Sequence, residues 1–288
     1  MKDTSRTRII LALLSVYLLW GSTYLAIRIA LEGFPPFMMA AMRFIIAGTA
    51  LYIFLRLRGE KSPTPEQWRN AAIVGGFLLL GGNGGVVFAE QWVASSLAAM
   101  VIATTPLWMV LFTGIWGRWP SAREWAGLGL GLAGVVLLNL DGDLRAYPLG
   151  AAALIAGSML WAFGSAWSRH LSLPSAPMAI AAEMMAGGVF LMVVSLIQGE
   201  SLPGLPSLRP VAALVYLIVF GSLVGFSSYV YLLRRVRPAL AMSYAYVNPL
   251  IALLLGVGFA GEHVTKTGMI SMGIIIAGVA LIMTGGKR

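Results

Sequence analysis

Long apolar runs constrain this chain more than any other feature of its sequence. Ten stretches are each about 17 to 23 residues long, which is enough for a helix to cross the hydrocarbon core of a bilayer. They are 9–29, 36–56, 71–89, 96–116, 124–140, 148–168, 176–198, 211–233, 239–260 and 267–285. Ten crossings leave no room for a sizeable soluble domain among 288 residues.

The composition agrees with a membrane protein. Hydrophobic residues make up 59% of the chain and charged residues 11%, whereas a soluble domain has roughly 45–50% and about 25%. A backbone in lipid must satisfy its own hydrogen bonds, and the runs lack the two-residue alternation of a membrane barrel. We therefore predict an all-α integral membrane protein. Since the chain has no cysteine, thiolate metal sites are excluded, and we expect no metal and no cofactor.

The lysines and arginines predict the orientation. With the N-terminus in the cytoplasm, 15 of the 20 basic residues lie inside, four lie outside and Arg43 lies within a span. This distribution follows the positive-inside rule and predicts that both termini are cytoplasmic. The net charge of +9 is then explained by basic residues that anchor the helices at the membrane surface. We therefore expect lipid, and not nucleic acid, as the partner of these residues. The first run lacks a small-residue cleavage pattern, so we interpret it as a retained helix.

The chain also contains an internal repeat. Trp20 and Trp161 each stand eight residues before an arginine and are 141 residues apart, while Pro106 and Pro249 are 143 apart. Nearly constant offsets indicate duplication. Five helices is an odd number, so the second unit enters the membrane inverted, as in many secondary transporters. The two predicted units are residues 1–142 and 143–288.

These motifs resemble the EamA-type branch of the drug/metabolite transporter superfamily over essentially the whole chain. The first half carries Trp20-Gly21-Ser22-Thr23-Tyr24, Arg43-Phe44, Gly82-Asn83-Gly84, Ala89-Glu90 and the Pro106 region; the second half carries Trp161-Ala162-Phe163-Gly164-Ser165, Ser243-Tyr244-Ala245-Tyr246-Val247-Asn248-Pro249 and Gly261-Glu262. The resemblance implies two inverted five-helix repeats around a central cavity in a bacterial inner membrane, and export of small metabolites.

Polar and amphipathic residues deep inside the spans are the candidate binding residues, because polar groups are costly in lipid. Aromatic rings can stack on apolar substrates and attract an amino group. The candidates are Trp20, Tyr24, Asn83, Trp161, Ser165, Glu183, Tyr244 and Asn248. For each aromatic residue taken singly, core packing explains its position equally well.

Three features admit two interpretations each. Glu183 either handles a proton or an amine, or is a structural carboxylate. Arg43 either attracts a substrate carboxylate or donates to backbone carbonyls. The glycines of Gly81-Gly82-Asn83-Gly84-Gly85 either make the third helix deformable or allow close helix packing.

Two prolines near the membrane centre predict bent helices. Pro106 and Pro249 lack an amide hydrogen and leave the carbonyls of Ile102 and Ala245 without helical partners. We predict hinges at Pro106 and Pro249 and in the glycine segment at Gly82 and Gly84, unless the bends are static.

The leading hypothesis is a monomeric exporter of apolar or aromatic amino acids and related metabolites by alternating access. A cationic-drug exporter with Glu183 as its charge partner is the nearer alternative, and a scaffold without transport is another. An enzyme is not expected, because no acidic pair or histidine lies within a span.

Overall fold

The computed structural model describes residues 2–93, 95–117, 119–138, 147–202, 204–260 and 266–284, and every regular element in these ranges is helical. We number the helical segments α1 to α10 in chain order. Their bounds are α1, Lys2–Ser15, Val16–Trp20 and Gly21–Ala30; α2, Pro36–Leu57; α3, Pro65–Gly75, Gly76–Asn83 and Gly84–Ala89; α4, Ser95–Ile102 and Thr105–Ile115; α5, Ala122–Leu138; α6, Pro148–Ser168; α7, Ala176–Ile197; α8, Leu208–Tyr216, Leu217–Phe226 and Ser227–Arg235; α9, Pro238–Ala241 and Tyr244–Ala260; α10, Lys266–Thr284.

Six helices among the described residues are long and apolar enough to cross a membrane. They lie in α1, α2, α3, α6, α7 and α8 and coincide with six of the ten predicted spans. The all-helical membrane class is therefore confirmed. Residues 139, 140 and 285, at the ends of two predicted spans, and the motif Gly261-Glu262 lie outside the described residues.

Three of these helices contain a wider π-helical stretch. The stretches are Val16–Trp20 in α1, Gly76–Asn83 in α3 and Leu217–Phe226 in α8. The starts of the last two are 141 residues apart, which is the spacing of Trp20 and Trp161. A π-helical turn offsets the backbone ladder and occurs frequently at functional sites.

Helices α2 and α7 pack along their whole length with small residues at the contact. A Cβ atom on Gly48 would lie 2.8 Å from the Met185 nitrogen, and one on Gly188 would lie 2.9 Å from the Ile45 nitrogen. Glycine is needed at both positions because the neighbouring backbone leaves no space for a side chain. The two contacts are reciprocal. Gly188 follows Gly48 by 140 residues, and Met185 follows Ile45 by the same number, so each contact repeats the other with the helices exchanged.

The ends of α2 and α7 also cap each other. Each helix ends at a glycine with positive φ, Gly59 or Gly199, followed by a glutamate. The Glu200 carboxylate accepts hydrogen bonds from the backbone nitrogens of Phe37 (3.2 Å) and Met38 (2.7 Å) at the start of α2. At the opposite end, Glu60 accepts a hydrogen bond of 3.2 Å from Ser175, the N-cap residue of α7. A carboxylate at a helix N-terminus is favourable, because the amide groups there lack helical partners.

Helices α4 and α9 are each interrupted. In α4 the break falls at Ala103 and Thr104, so that Pro106 is in the first turn of the second half. The Thr105 hydroxyl donates to the Ile102 carbonyl at 2.5 Å, which satisfies the acceptor that the proline leaves free. In α9 the break falls at Met242 and Ser243, and Pro249 lies inside the following helix. The helix continues through Pro249, and the bend expected there stays a prediction.

Candidate functional site

A narrow central cavity of about 70 Å³ lies between seven of the helical segments, α1, α2, α3, α4, α6, α8 and α9. All three π-helical stretches contribute to its wall. The predicted site residues in this wall are Trp20, Tyr24, Gly82, Asn83, Trp161, Tyr244 and Asn248. The structure therefore brings together six of the eight predicted binding residues and one predicted hinge residue.

Four aromatic rings form a cluster at the predicted cytoplasmic side of this cavity. The ring of Trp20 lies 5.5 Å from that of Trp161, 4.9 Å from that of Tyr244 and 5.2 Å from that of Tyr229, measured between centroids. The Trp20 contacts with Trp161 and Tyr244 are edge-to-face, an arrangement that aromatic quadrupoles favour. Trp20, Trp161 and Tyr244 of this aromatic cluster line the cavity and give it an apolar wall, and Tyr229 packs behind them.

Hydrogen bonds hold the two indole rings of the cluster in place. The Trp20 Nε1 group donates to the Gly221 carbonyl at 3.0 Å. The Trp161 Nε1 group donates to the Tyr229 hydroxyl at 3.1 Å, and the Ser165 and Tyr229 hydroxyls are 2.5 Å apart. Ser165 therefore lies behind the wall and does not line the cavity; its role is to support Tyr229.

The polar side of the cavity presents groups without protein partners. Arg43, 3% exposed, donates from Nε to the Ser222 hydroxyl at 2.8 Å, while its Nη1 atom has no hydrogen-bond partner among the described residues. The side-chain oxygens of Asn83 and Asn248 are likewise buried without a partner. Such groups are costly unless a ligand or water satisfies them. The cavity thus offers one cationic donor and two neutral acceptors to a ligand.

Glu183 does not line the central cavity. It is 2% exposed and faces a second cavity at the predicted cytoplasmic end, together with Arg169, His170 and Arg234. Because none of the described residues of α7 lines the central cavity, Glu183 does not belong to the group that surrounds a central ligand. The geometry therefore does not support the pairing of Glu183 with a cation bound in the central cavity.

The glycines of α3 serve close packing as well as local shape. A Cβ atom on Gly82 would lie 2.6 Å from the Trp161 ring, and one on Gly85 would lie 2.7 Å from the Ala153 carbonyl. Gly84 begins the last helical stretch of α3 and has looser surroundings, with Leu191 at 3.2 Å. Close packing against Trp161 thus explains why residue 82 is a glycine. Gly82 also lies in a π-helical stretch, so both interpretations of the glycine segment, packing and deformability, remain open.

The sequence signal for this site is uneven. Tyr229 follows Ser227 and Ser228 in a predicted span and belongs to no motif that marks it, and only its contacts in the folded protein reveal that it supports the wall. Thr105 precedes Pro106, and this pair does indicate a helix break at which a hydroxyl donates to the carbonyl that the proline leaves without a partner. Arg43 stands out in the sequence by its depth in a span, and the structure supplies the reason for its position, a hydrogen bond to Ser222.

Comparison with known proteins identifies the family. The model of the EamA-like transporter family matches residues 7–140 and again residues 148–284. The chain belongs to the EamA-like transporter family. This family consists of membrane transporters and is not an enzyme class, and the resemblance inferred from the sequence motifs is confirmed.

Relatives of this EamA-family protein agree with that assignment. The inner membrane transporter YedA of Escherichia coli (strain K12) is 47% identical over 275 residues, which cover 95% of this chain and 90% of YedA. A probable terminal-alkyne amino-acid exporter of Streptantibioticus cattleyicolor is 27% identical over 96% of this chain and 94% of its own. A solved structure at 22% identity matches 98% of this chain and 100% of its own with a TM-score of 0.80, which shows that the two share a fold.

Proposed function

We propose that this transporter exports small zwitterionic metabolites, foremost amino acids with apolar or aromatic side chains, across the bacterial inner membrane. It does so by alternating access, with the central cavity opening in turn to each face. One observation carries the proposal: the cavity combines an aromatic wall with a free cationic donor and two free amide oxygens.

These groups complement an α-amino acid. The free Nη1 group of Arg43 suits a carboxylate, because hydrogen bonds between ionised groups are the strong ones. The unpaired oxygens of Asn83 and Asn248 accept from an ammonium group, which has three donors and no acceptor. The aromatic cluster then receives the apolar side chain. The name of the Streptantibioticus cattleyicolor relative, a probable amino-acid exporter, supports the same substrate class.

For the architecture, we propose ten membrane helices arranged as two inverted repeats, 1–142 and 143–288. The reciprocal contacts of Gly48 and Gly188 support it, since an interface across a two-fold axis repeats each contact with the partners exchanged. Helices α5 and α10 pack in the same reciprocal way: a Cβ atom on Gly134 would lie 3.1 Å from the Ile275 nitrogen and one on Gly278 would lie 2.7 Å from the Gly131 nitrogen. The two separate family matches support the same division.

For the setting of the protein, we propose that both termini are cytoplasmic, that one copy of the chain suffices for transport, and that lipid and the small-molecule substrate are its partners. The matched π-helical stretches of α3 and α8 and the interrupted helices α4 and α9 support rocking of the two halves, because they provide equivalent weak points in both.

Three probes that share one apolar group test the substrate class. In proteoliposomes we expect L-phenylalanine to be transported, whereas phenethylamine, which lacks the carboxylate, and 3-phenylpropionate, which lacks the amine, are transported at least about 10-fold more slowly. A cationic-drug exporter would instead carry phenethylamine, and a scaffold would carry none of the three.

The variant Arg43→Gln tests the carboxylate contact. It should reduce L-phenylalanine flux by about 10-fold to 100-fold, since a hydrogen bond to a charged group is worth about 1.5–3 kcal/mol. The matched control is Arg209→Gln, which removes an exposed arginine that pairs with Glu32 at 3.4 Å and should leave flux unchanged. Equal flux in both variants, with both folded, would contradict the assignment of Arg43.

A further inference from the structure

Glu90 is a buried carboxyl group that the proposed substrate site does not use. It follows the last helical residue of α3 and is 6% exposed. Both of its carboxyl oxygens are buried and have no hydrogen-bond partner among the described residues. An ionised carboxylate in such surroundings is costly, because neither water nor a donor compensates its charge.

Glu90 lies between the central cavity and the predicted outer face. Val86 lies one helical turn earlier on the same face of α3 and lines the central cavity. Glu90 itself lines a third cavity, at the predicted outer end, together with Arg28, Glu32 and Gln91. A group at this place can respond both to the contents of the central cavity and to the water outside.

The charges around Glu90 do not neutralise it. On α1, Arg28 is exposed and forms no ion pair with Glu90 within the described ranges, and Tyr24 is uncharged. Of the helices that pack on the last stretch of α3, α6 has no ionisable side chain and α2 has Arg43 deeper in the membrane. Burial raises the pKa of the Glu90 carboxyl well above its usual range, and Arg28 opposes this shift only in part.

The helix itself adds to this effect. Glu90 stands at the C-terminal end of α3, where the helix dipole is negative and a carboxylate is disfavoured. Glu200, at the same end of the protein, has the opposite situation, because it accepts two backbone hydrogen bonds at the N-terminus of α2. The two carboxyl groups therefore differ in environment although both are at the predicted outer end.

We propose that Glu90 is a proton-binding site through which transport is coupled to a proton gradient. In the arrangement described here the carboxyl group is neutral and holds one proton. When the protein opens outward, the carboxylate takes up one proton from water in the outer cavity and an O–H bond forms. When the protein opens inward and water enters through the central cavity, the O–H bond breaks, the proton passes to that water and the carboxylate remains, so that one proton crosses the membrane per cycle. The role in coupling rests on the proposed transport function, whereas the proton binding does not.

Infrared spectroscopy tests the proton binding without any substrate. At about pH 7, the difference between the wild-type protein and Glu90→Gln should contain the carbonyl stretching band of a protonated carboxylic acid, and the band should disappear on titration to higher pH. The control Glu200→Gln should leave the band unchanged. If Glu90→Gln does not fold, Glu90→Asp should shift the band without abolishing it. A difference spectrum without an acid band in folded variants would overturn the proposal.

Flux measurements test the coupling. With L-phenylalanine as the probe, an imposed pH gradient should accelerate transport by wild-type protein and by Glu200→Gln, and should have no effect on the rate with Glu90→Gln. An acceleration that persists in Glu90→Gln would overturn the coupling role. If no probe is transported by any variant while the infrared band is present, the proposed transport function fails and the proton site stands.

Discussion

At the scale of single residues, the shape of the cavity depends on groups that hold the aromatic cluster in place. Tyr229 is the clearest of these. Its hydroxyl accepts from the Trp161 indole and contacts the Ser165 hydroxyl, and its ring packs against Trp20. A tyrosine is needed here because a phenylalanine would preserve the ring contacts and leave the indole N–H without an acceptor.

The variant Tyr229→Phe should therefore destabilise the protein by about 1–3 kcal/mol. Thermal unfolding in detergent measures this change, and the tryptophan fluorescence should report an altered surrounding of Trp161. Tyr231→Phe on the same helix is the control and should have a smaller effect, because Tyr231 is only half-buried. Equal stability of the two variants would show that the Tyr229 hydroxyl is dispensable.

At the scale of elements, helices α2 and α7 stabilise each other at both ends. Gly59 and Gly199 adopt positive φ values of 83° and 67°, which glycine adopts without steric cost. Each glycine turns the chain so that the following glutamate reaches the N-terminus of the partner helix. The pair Gly-Glu occurs at positions 59–60 and 199–200, and this recurrence supports the proposed repeat, in addition to the tryptophans and prolines.

The two caps should differ in strength. Glu200→Ala removes an acceptor from two backbone amides and should cost about 1–2 kcal/mol, the range measured for strong N-caps. Glu60→Ala removes one hydrogen bond to the Ser175 hydroxyl, which is exposed, and should cost less. Denaturation midpoints of the two variants in the same detergent give the comparison. A larger loss of stability in Glu60→Ala would contradict this prediction. The stability that a cap adds would then depend on the geometry at Ser175 and not on the number of amide donors.

At the scale of the whole molecule, the distribution of basic residues predicts how the bundle lies in the membrane. With the ten predicted spans, 15 of the 20 lysines and arginines fall on the side of the N-terminus, and such an asymmetry sets orientation during insertion. An even number of crossings then returns the C-terminus to the same side.

A reporter fused after residue 288 tests this topology. We expect activity of a cytoplasmic reporter such as green fluorescent protein and no activity of alkaline phosphatase, which requires the periplasm. The same pair of reporters fused after residue 200, at the end of α7, should give the opposite result. A periplasmic C-terminus would contradict both the number of crossings and the direction of export.

The amino-acid sequence was enough to predict the membrane class of this protein, its family and most residues of its cavity wall. These conclusions depend on local properties: run length decides whether a helix spans the bilayer, the placement of basic residues decides orientation, and rare polar groups in apolar runs mark the central face of a helix. For this reason the amino-acid sequence alone is enough to select Trp20, Asn83 and Trp161.

Which side chains contact one another became clear only from the folded protein. Glu183 lies within an apolar run and Glu90 follows one, yet Glu183 faces the predicted cytoplasmic end, whereas Glu90 lines the outer cavity one helical turn from Val86 in the central cavity. Likewise Ser165 supports Tyr229 from behind the wall, and the break in α9 lies at Met242 and Ser243 and not at Pro249. The physical reason is that burial, partners and charge compensation depend on the rotation and depth of each helix against its neighbours, which residues distant in the chain determine.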